Sequence, residues 1–270
     1  MASSSRTKPP APTILRGFNV LERVVEAQRP ISAAELIDEL GLPKPTMHRI
    51  LQQLEEEGLL QREPAQRRYL PGPRTEKFVF ALAAHKVLGA PRHAILQALS
   101  DEVGETCNCA MLDGNHTIYF DRVEANWPYR IQLQVGSHLP LHCTASGKLF
   151  LAHMTARQRK RLITAAPLKR YTDRTITDPT QLLDEIRQVE ANDVGIDNEE
   201  FMNGMVAVAV PVFDPADKLC FTIAVHAPTV RKPLAELRLY LPSLRRAAAA
   251  MAATYCSAAE EPDRELEKKS

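Results

Sequence analysis

The sequence predicts an α+β protein with two domains, the first mainly helical and the second built around a sheet. Apolar residues recur at helical spacing over residues 14–54, basic residues cluster in a hairpin pattern at 59–70, and strand-like alternation begins after Gly104. The 270 residues suit one or two domains, and 44% hydrophobic with 25% charged residues is ordinary for a globular protein. No apolar run approaches the length of about eighteen residues that spans a membrane. Residues 1–13 lack the apolar segment of a secretory signal and are predicted to be a disordered arm.

The first two helices are predicted from their periodicity and their end signals. A first helix is expected over residues 14–28, because Arg29-Pro30 disfavours its continuation. Ser32 and Glu35 have the spacing of a capping box and start a second helix. That helix is expected to stop at Gly41, which adopts the left-handed conformation without steric cost.

A third helix is predicted after a turn at residues 42–46, and Gly58 ends it. Its expected buried stripe consists of Met47, Ile50, Leu51 and Leu54. Its outer face and first turn carry Lys44, Thr46, His48 and Arg49. Two helices joined by a short glycine-containing turn, the second basic and polar outside, are typical of a helix-turn-helix that reads DNA. The acidic run at residues 55–57 lies at the far end, where it is expected to face solvent or the protein.

A hairpin is predicted next, with strands at residues 59–63 and 68–70 and a turn at 64–67. Its Arg67 and Arg68 are expected to contact phosphates or a minor groove, as the wing of a winged helix-turn-helix does. The net charge of the whole chain is only +1, so local charge carries this argument. A small helical bundle for protein contacts is the alternative. The basic hairpin and the acid-free start of the third helix favour double-stranded DNA as the partner.

The changes in pattern divide the chain into segments. Residues 14–73 are predicted to form the DNA-binding domain. Residues 74–90 form a linker, with a helical pattern over 74–88. Residues 91–257 form the second domain, and residues 258–270 a charged, disordered tail.

Strands and helices alternate in the second domain, which favours an α+β domain around one sheet. The expected strands are residues 106–112, 117–123, 129–135, 206–213 and 219–227. The expected helices are residues 91–103, 149–163, 181–194 and 234–256, the last with a kink or restart at Pro242. Asp113-Gly114 is a strong hairpin signal, and the almost entirely apolar strand at 206–213 is predicted to lie at the centre of the sheet.

The five cysteines show no metal-binding spacing. They are expected to be thiols in a reducing cytoplasm, and no metal or cofactor is predicted. A hydrolase would use Cys143 or Ser146 with a histidine and an acid, but the chain has no Gly-x-Ser-x-Gly elbow. The sequence therefore does not predict an enzyme.

Residues 143–148 link a strand to a helix predicted to start near Ser146-Gly147. Small residues let a ligand approach the backbone, and N–H groups at a helix start favour an anion. The segment is not a phosphate-binding P-loop, because His142 stands at the first glycine position and Leu149 follows Lys148 in place of Ser or Thr. A tight turn without a ligand is the alternative.

Taken together, these motifs resemble the IclR-type bacterial transcription regulators over residues 14–255. The matching stretches are residues 41–49, 139–148, 195–200 and 204–212. The resemblance implies a GAF-like effector-binding domain after the winged helix-turn-helix. It also implies a homodimer or dimer of dimers, and a small organic acid as effector.

The resemblance implies that the backbone N–H groups of Ala145 and Ser146 bind the effector carboxylate and that Asp197 lines the same pocket. Three positions where the family often has Cys or Ser are here occupied by Ala207, Ala224 and His226. The two alanines enlarge the pocket and lower its polarity, which argues against effectors as small as glyoxylate or pyruvate. His226 is expected near the carboxylate, with a charge set by its surroundings.

Trp127, Tyr129 and Ile131 precede the pocket turn and are expected to cover an apolar ligand, with core packing as the alternative for Trp127. The predicted effector is therefore an organic acid with an apolar or aromatic body. Its binding is expected to change the subunit arrangement and to move the DNA-binding domains through residues 78–88. Repressor and activator both fit the sequence. A DNA-binding scaffold with a non-sensing second domain and a hydrolase are the alternatives.

Overall fold

The computed structural model describes residues 12–27, 29–63, 67–85, 88–127 and 133–260, with the backbone alone described for 255–260. The chain divides into two compact units, residues 1–82 and residues 83–270. Within the described residues, no helix combines the length and the apolar character needed to cross a lipid bilayer.

The first unit is a small helical domain with a two-stranded hairpin. Its elements are α1 (Thr13–Ala27), α2 (Ala33–Leu40), α3 (Lys44–Glu56), β1 (Leu60–Arg62), β2 (Tyr69–Pro71) and, at its end, α4 (Pro73–Ala83). Its fully buried core consists of Val20, Val24, Ile31, Leu36, Met47, Ile50, Leu51, Leu60 and Tyr69. The predicted N-terminal winged helix-turn-helix is confirmed.

The ends of α2 follow from its sequence. Ser32 Oγ accepts a hydrogen bond from the Glu35 N–H, and the Glu35 carboxylate accepts one from the Ser32 N–H at 2.8 Å, so the predicted capping box is present. Gly41 ends the helix with a φ of 62°, a conformation that favours glycine. The turn from α2 into α3 is therefore short.

The hairpin is attached to the helices through its second strand. β1 and β2 pair antiparallel, with Leu60 opposite Pro71 and Arg62 opposite Tyr69. Ile31, just before α2, makes a further antiparallel bridge with Tyr69, and both side chains are buried. Residues 64–66 of the predicted turn lie outside the described residues.

The second unit is an α+β domain. Its strands are β3 (Thr106–Asp113), β4 (His116–Val123), β5 (His138–Pro140), β6 (Gly195–Asn198), β7 (Met205–Phe213) and β8 (Leu219–Pro228). Its helices are α5 (Ala90–Val103), α6 (Ala145–His153), α7 (Ala156–Thr164), α8 (Pro179–Asn192), α9 (Leu234–Leu237) and α10 (Leu241–Glu260), with a 3-10 turn at Arg238–Tyr240 before α10.

These strands form one sheet in the described part of the chain, in the order β5-β4-β3-β8-β7-β6, and each neighbouring pair is antiparallel. α5 contacts β3 and β4, and α10 contacts β7 and β8, while α6 packs against β6, β7 and β8. Ala207, Ala209 and Ala224 share a core with Leu149 of α6, so small side chains let that helix approach the sheet closely. The strand predicted to be central, β7, is an inner strand, but β3 and β8 form the centre.

The helix predicted over residues 149–163 is two helices. α6 starts earlier, at Ala145, and ends at His153, and Met154 has an extended backbone with ψ 152°. Thr155 then caps α7 through a capping box with Gln158. Because the side chains of such a box compete with continued helical hydrogen bonding, the chain turns here.

Other boundaries also differ from the prediction. The linker helix α4 stops at Ala83, short of the predicted residue 88, and α8 stops at Asn192 because Asp193 takes a left-handed φ of 51°. Of the predicted strand at 129–135, residues 129–132 lie outside the described residues, and 133–135 are not a strand. The short edge strands β5 and β6 were not predicted. The predicted break near Pro242 is present as the 3-10 turn that precedes α10.

Candidate functional site

The outer face of α3 carries the residues predicted to read DNA. Lys44, His48 and Arg49 are exposed, and Thr46 is partly buried. The first turn of the helix contains no acidic residue, so its positive N-terminal end is not neutralised there. The opposite face is buried through Met47, Ile50 and Leu51. This arrangement leaves a basic, polar helix surface available to a groove.

The acidic end of α3 is paired within its own unit. Glu55 lies 3.0 Å from Arg62, and Glu57 forms an ion pair with Arg74. These contacts are largely exposed and weak individually. They direct acidic charge toward the hairpin and α4, away from the first turn of α3.

The two predicted wing arginines have different surroundings. Arg67 is exposed and has a left-handed φ of 50°. Arg68 is partly buried, and its Nη1 donates to the Pro30 carbonyl at 3.1 Å and lies 3.6 Å from the Glu35 carboxylate. Arg68 therefore contacts the start of α2, while Arg67 faces solvent.

In the second unit, the predicted anion-binding turn is a capped helix start. Thr144 Oγ1 accepts from the Gly147 N–H at 3.2 Å and donates to the Pro140 carbonyl at 2.7 Å. The N–H groups of Ala145 and Ser146 lie in the first turn of α6, where the helix itself supplies no acceptor. Both residues are buried.

Two glycines bring this turn against its neighbours. A Cβ on Gly147 would overlap the Leu141 carbonyl oxygen, and a Cβ on Gly195 would overlap the carbonyl oxygen of Ala145. A side chain at either position would therefore displace backbone. The start of β6 is thus held directly against the start of α6.

A cavity of about 510 Å³ opens beside this turn, between the sheet and the loop from β6 to β7. Its polar lining residues are Thr106, Tyr119, Arg122, Thr144, Asp197, Asn203, His226, Thr229 and Arg231. Its other lining residues are Leu133, Phe201, Met202, Gly204, Met205, Val206, Pro228 and Val230. The cavity therefore combines apolar side chains with polar groups from four strands, β3, β4, β6 and β8.

The cavity includes some of the predicted effector residues and not others. Asp197 and His226 line it. Ala207 and Ala224 lie in the core beneath α6, together with Ala145, and none of these three is among the lining residues described. Ser146 is buried next to Ala145 and is likewise outside that lining. The expectation that the alanines enlarge the pocket by lining it is therefore not met in this geometry.

Three residues expected to cover the ligand lie at or beyond the edge of what the structure describes. Tyr129 and Ile131 fall outside the described residues. Trp127 is 47% exposed, its Nε1 donates to the Gly104 carbonyl at 3.2 Å, and its ring lies under the Arg231 guanidinium. Since Arg231 lines the cavity, Trp127 supports the wall from outside.

Asp197 is a buried carboxylate enclosed by the loop between β6 and β7. Its Oδ1 accepts hydrogen bonds from the N–H groups of Glu200 at 2.8 Å and Phe201 at 3.3 Å. Burial raises the pKa of Asp197 to about 7, although these hydrogen bonds act in the opposite direction. Asp197 therefore shapes the loop and changes its protonation near neutral pH.

His226 stays neutral at physiological pH. Burial, followed by the positive charge of Arg122, lowers the pKa of His226 to about 3. Its Nε2 contacts the Asn108 side-chain amide and lies 3.4 Å from the Tyr119 hydroxyl. His226 thus offers a polar but uncharged edge to the cavity.

A buried ion cluster that the sequence did not suggest lies behind Asp197. Lys148, whose side chain is 0% exposed, donates to Glu200 at 2.6 Å and to Glu185 at 3.1 Å. Thr172 and Thr175 donate to the Glu200 carbonyl oxygen. From the sequence alone, Lys148 suggests only a phosphate-binding loop, which the neighbouring residues rule out. The sequence signal for this role is a single charged residue inside the apolar run at residues 147–152, because a lysine buried in such a run needs an oppositely charged partner.

Two arginines of the cavity were also not predicted. Arg231 pairs with Glu105 through Nε at 2.9 Å and through Nη2. Arg122, on β4, has a side chain only 8% exposed, and its Nε lies 3.5 Å from Glu124. Arg122 lies next to Asp121 inside the strand predicted over residues 117–123. A charged side chain within such a strand is the sequence signal that could have identified it.

The described residues contain no cluster of three or more His, Cys, Asp or Glu side chains arranged to hold a metal ion. Burial raises the pKa of the Cys107, Cys109 and Cys143 thiols, so they are poor nucleophiles at neutral pH.

Comparison with known proteins identifies both units. The model of the IclR helix-turn-helix domain matches residues 13–64, and that of the bacterial transcriptional regulator IclR C-terminal region matches residues 81–253. The probable transcriptional regulator SauR of Cupriavidus necator is 42% identical over 242 residues, which cover 90% of this chain and 96% of that protein.

Two solved structures resemble the second unit. The C-terminal domain of the Escherichia coli transcriptional regulator KdgR has a TM-score of 0.55 and 30% identity, covering 61% of this chain and 96% of that one. The PobR inducer-binding domain from Acinetobacter, a double mutant in complex with 3-hydroxybenzoic acid, has a TM-score of 0.55 and 26% identity, covering 59% and 94%. The relatives are transcriptional regulators and not enzymes, which excludes the hydrolase alternative. On the strength of both matches, the chain belongs to the IclR family of bacterial DNA-binding transcription regulators.

Proposed function

We propose that a small organic acid with an apolar or aromatic body binds in the cavity of the second unit and controls operator binding or activation. The carrying observation is a cavity of about 510 Å³ whose lining combines apolar side chains with charged and polar groups. The apolar side chains include Leu133, Phe201 and Val206. An acid of two or three carbons would leave most of them in contact with water.

The comparison with PobR supports the same class of ligand. That inducer-binding domain was solved in complex with 3-hydroxybenzoic acid, which has an aromatic body and one carboxylate. The apolar side chains here suit such a ring, and the first turn of α6 beside Asp197 remains a candidate for the acid group.

On the DNA side, we propose that Lys44, Thr46, His48 and Arg49 approach base edges or flanking phosphates of an operator. Of the two predicted wing arginines, Arg67 is the exposed one and suits a phosphate contact. Arg68 contacts the start of α2, so its role at DNA requires those contacts to open or to be shared.

The assembly we propose is a homodimer or a dimer of dimers. α1 exposes Ile14, Leu15 and Phe18, and α4 exposes Phe78 and Val79. Apolar side chains grouped in this way favour a protein partner, and a second copy places two reading helices on two half-sites. Light scattering of the full chain is expected to give the mass of a dimer or a larger assembly. Phe18→Glu is expected to weaken this self-association. A monomeric wild-type chain at micromolar concentration would contradict the assembly.

The proposal is tested by a thermal-shift screen of the full chain against aromatic and aliphatic carboxylates from acetate to 3-hydroxybenzoate. A ligand specific to the folded state raises the melting temperature, by RT ln(1 + [L]/Kd) in free energy. We expect a selective shift with larger acids, reduced in His226→Ala, which removes a polar group from the cavity lining. The same acid should change operator affinity in a mobility-shift assay. Exclusive binding of two- or three-carbon acids, or no binding of any acid, would overturn the proposal.

A further inference from the structure

Phe201 brings an aromatic ring to the cavity from the loop between β6 and β7. It packs against a small apolar cluster that includes Leu133 and Tyr119, and all three residues line the cavity. Among the residues that the structure describes, its one ring contact is with Tyr171, with the ring centroids 5.4 Å apart and an interplanar angle of 49°. Because Phe201 is only partly buried and lines the cavity, ring surface remains for a bound molecule.

The backbone that carries Phe201 is held by several hydrogen bonds. The Phe201 N–H donates to Asp197 Oδ1 at 3.3 Å. The carbonyl oxygen of the preceding residue, Glu200, accepts from the hydroxyl groups of Thr172 at 3.3 Å and Thr175 at 2.6 Å. A side chain on a backbone held in this way is suited to select ligands by shape.

Tyr171 supports the Phe201 ring from the solvent side. Its N–H donates to Thr175 Oγ1 at 3.0 Å, which places it in the same segment as the threonines that hold the loop. Its ring centroid lies 6.0 Å from that of His142 and 4.9 Å from Lys169 Nζ. Tyr171 is 38% exposed and is not among the lining residues described for the cavity. Tyr171 is therefore expected to act on a ligand through Phe201.

The sheet side of the cavity also carries rings. The imidazole of His226 meets the Tyr119 ring edge to face, with centroids 6.0 Å apart, and both residues line the cavity. A flat aromatic ligand makes offset or edge-to-face contacts with such rings, and a saturated ring does not. Contacts of this kind strengthen binding by about two- to twelvefold beyond the effect of buried area.

We propose that the body of the effector is a planar aromatic ring that packs on Phe201, and that Tyr171 is the positioning residue for the Phe201 ring. The proposal rests on the proposed function and narrows its apolar or aromatic body to an aromatic one. Selection between aromatic and saturated bodies is thereby assigned to the loop, and the polar lining groups serve the acid group.

The test compares aromatic acids with their saturated counterparts by calorimetry on the full chain, using benzoate with cyclohexanecarboxylate and 3-hydroxybenzoate with 3-hydroxycyclohexanecarboxylate. The saturated ring has the larger apolar surface, so burial alone would favour it. In the wild-type chain, at least one aromatic acid is expected to bind about threefold or more tightly than its counterpart. Phe201→Leu should abolish this preference, and Phe201→Tyr, which keeps the ring, should retain it. Tyr171→Leu should reduce it.

Phe213→Leu is the matched control, because it makes the same change at a partly buried position at the opposite end of β7 from the cavity. It should keep the wild-type preference.

The wild-type comparison depends on no variant. Equal binding of aromatic and saturated acids, or tighter binding of the saturated ones, would overturn the proposal and leave the proposed function standing. A preference that survives in Phe201→Leu would refute the role of Phe201, and so would a variant that weakens both acids of a pair alike, as a merely structural role predicts. If no acid in the panel binds the wild-type chain, the proposed function and this proposal both fail.

Discussion

Replacing Lys148 with methionine removes the cation from the buried cluster and leaves its partners in place. Glu200, whose side chain is 8% exposed, would keep a carboxylate without a countercharge, and its Oε2 already has no hydrogen-bond partner among the residues that the structure describes. Breaking a buried ion pair by removing one partner typically costs about 3–5 kcal/mol. We expect the lower end, about 3 kcal/mol, because Glu185 is a third exposed and recovers its hydration.

The loss should depend on pH. Burial already raises the pKa of Glu200 above its ordinary value, and Lys148 opposes that effect. Without Lys148 the folded chain holds a proton on Glu200 that the unfolded chain releases at lower pH. The unfolding free energy of Lys148→Met should therefore fall as pH rises from about 5 to 8. The double variant Lys148→Met/Glu200→Leu, which removes both charges, should recover most of the loss.

The assay is urea unfolding followed by the fluorescence of Trp127, the single tryptophan of the chain, so the signal reports the second unit. Lys160→Met, at an exposed position on α7, is the matched control and should change stability by less than about 0.5 kcal/mol. A loss in Lys148→Met no larger than in this control, or a double variant no more stable than the single one, would refute the reasoning.

Three further outcomes are expected. Burial raises the pKa of Asp197 to about 7, well above its unfolded value, so its protonated form stabilises the fold at low pH. The unfolding free energy should therefore fall as pH rises from about 5 to 8. Asp197→Asn should flatten that slope in the same fluorescence assay. Gly147→Ala should destabilise the second unit by about 1–3 kcal/mol in urea unfolding, because the new Cβ meets the Leu141 carbonyl; wild-type stability would contradict the close approach. Ser32→Ala should speed hydrogen exchange at the start of α2, and unchanged exchange there would mean that the capping box with Glu35 contributes little.

The elements that the sequence predicted best are those whose signals are local. The capping box at Ser32, the glycine at the end of α2 and the hairpin signal at Asp113-Gly114 each act over a few residues, and each feature is present. The break between α6 and α7 was missed because the apolar periodicity continues across it, although Thr155 and Gln158 have capping-box spacing. The edge strands β5 and β6 are too short for periodicity to detect.

The site was less predictable because its contacts are distant in sequence. Lys148 meets Glu200 across 52 positions, and Arg231 meets Glu105 across 126. Asp197 and His226 were found through the family resemblance, and both line the cavity. The same resemblance pointed to Ala207 and Ala224, which lie beneath α6, because register alone does not tell how deep on a sheet face a residue lies.

Because Gly195 lies close to the carbonyl of Ala145, the parts of the β6–β7 hairpin are held to α6 to different degrees. The start of β6 is fixed to α6 by this contact, and the first residues of the connecting loop are fixed to α6 by the ion pair between Lys148 and Glu200. The residues that follow Glu200 supply Phe201, Met202 and Asn203 to the cavity, and the described contacts include no ion pair between these three residues and α6. Substitutions at these three positions are therefore expected to change ligand preference while the contacts between α6 and β6 stay in place.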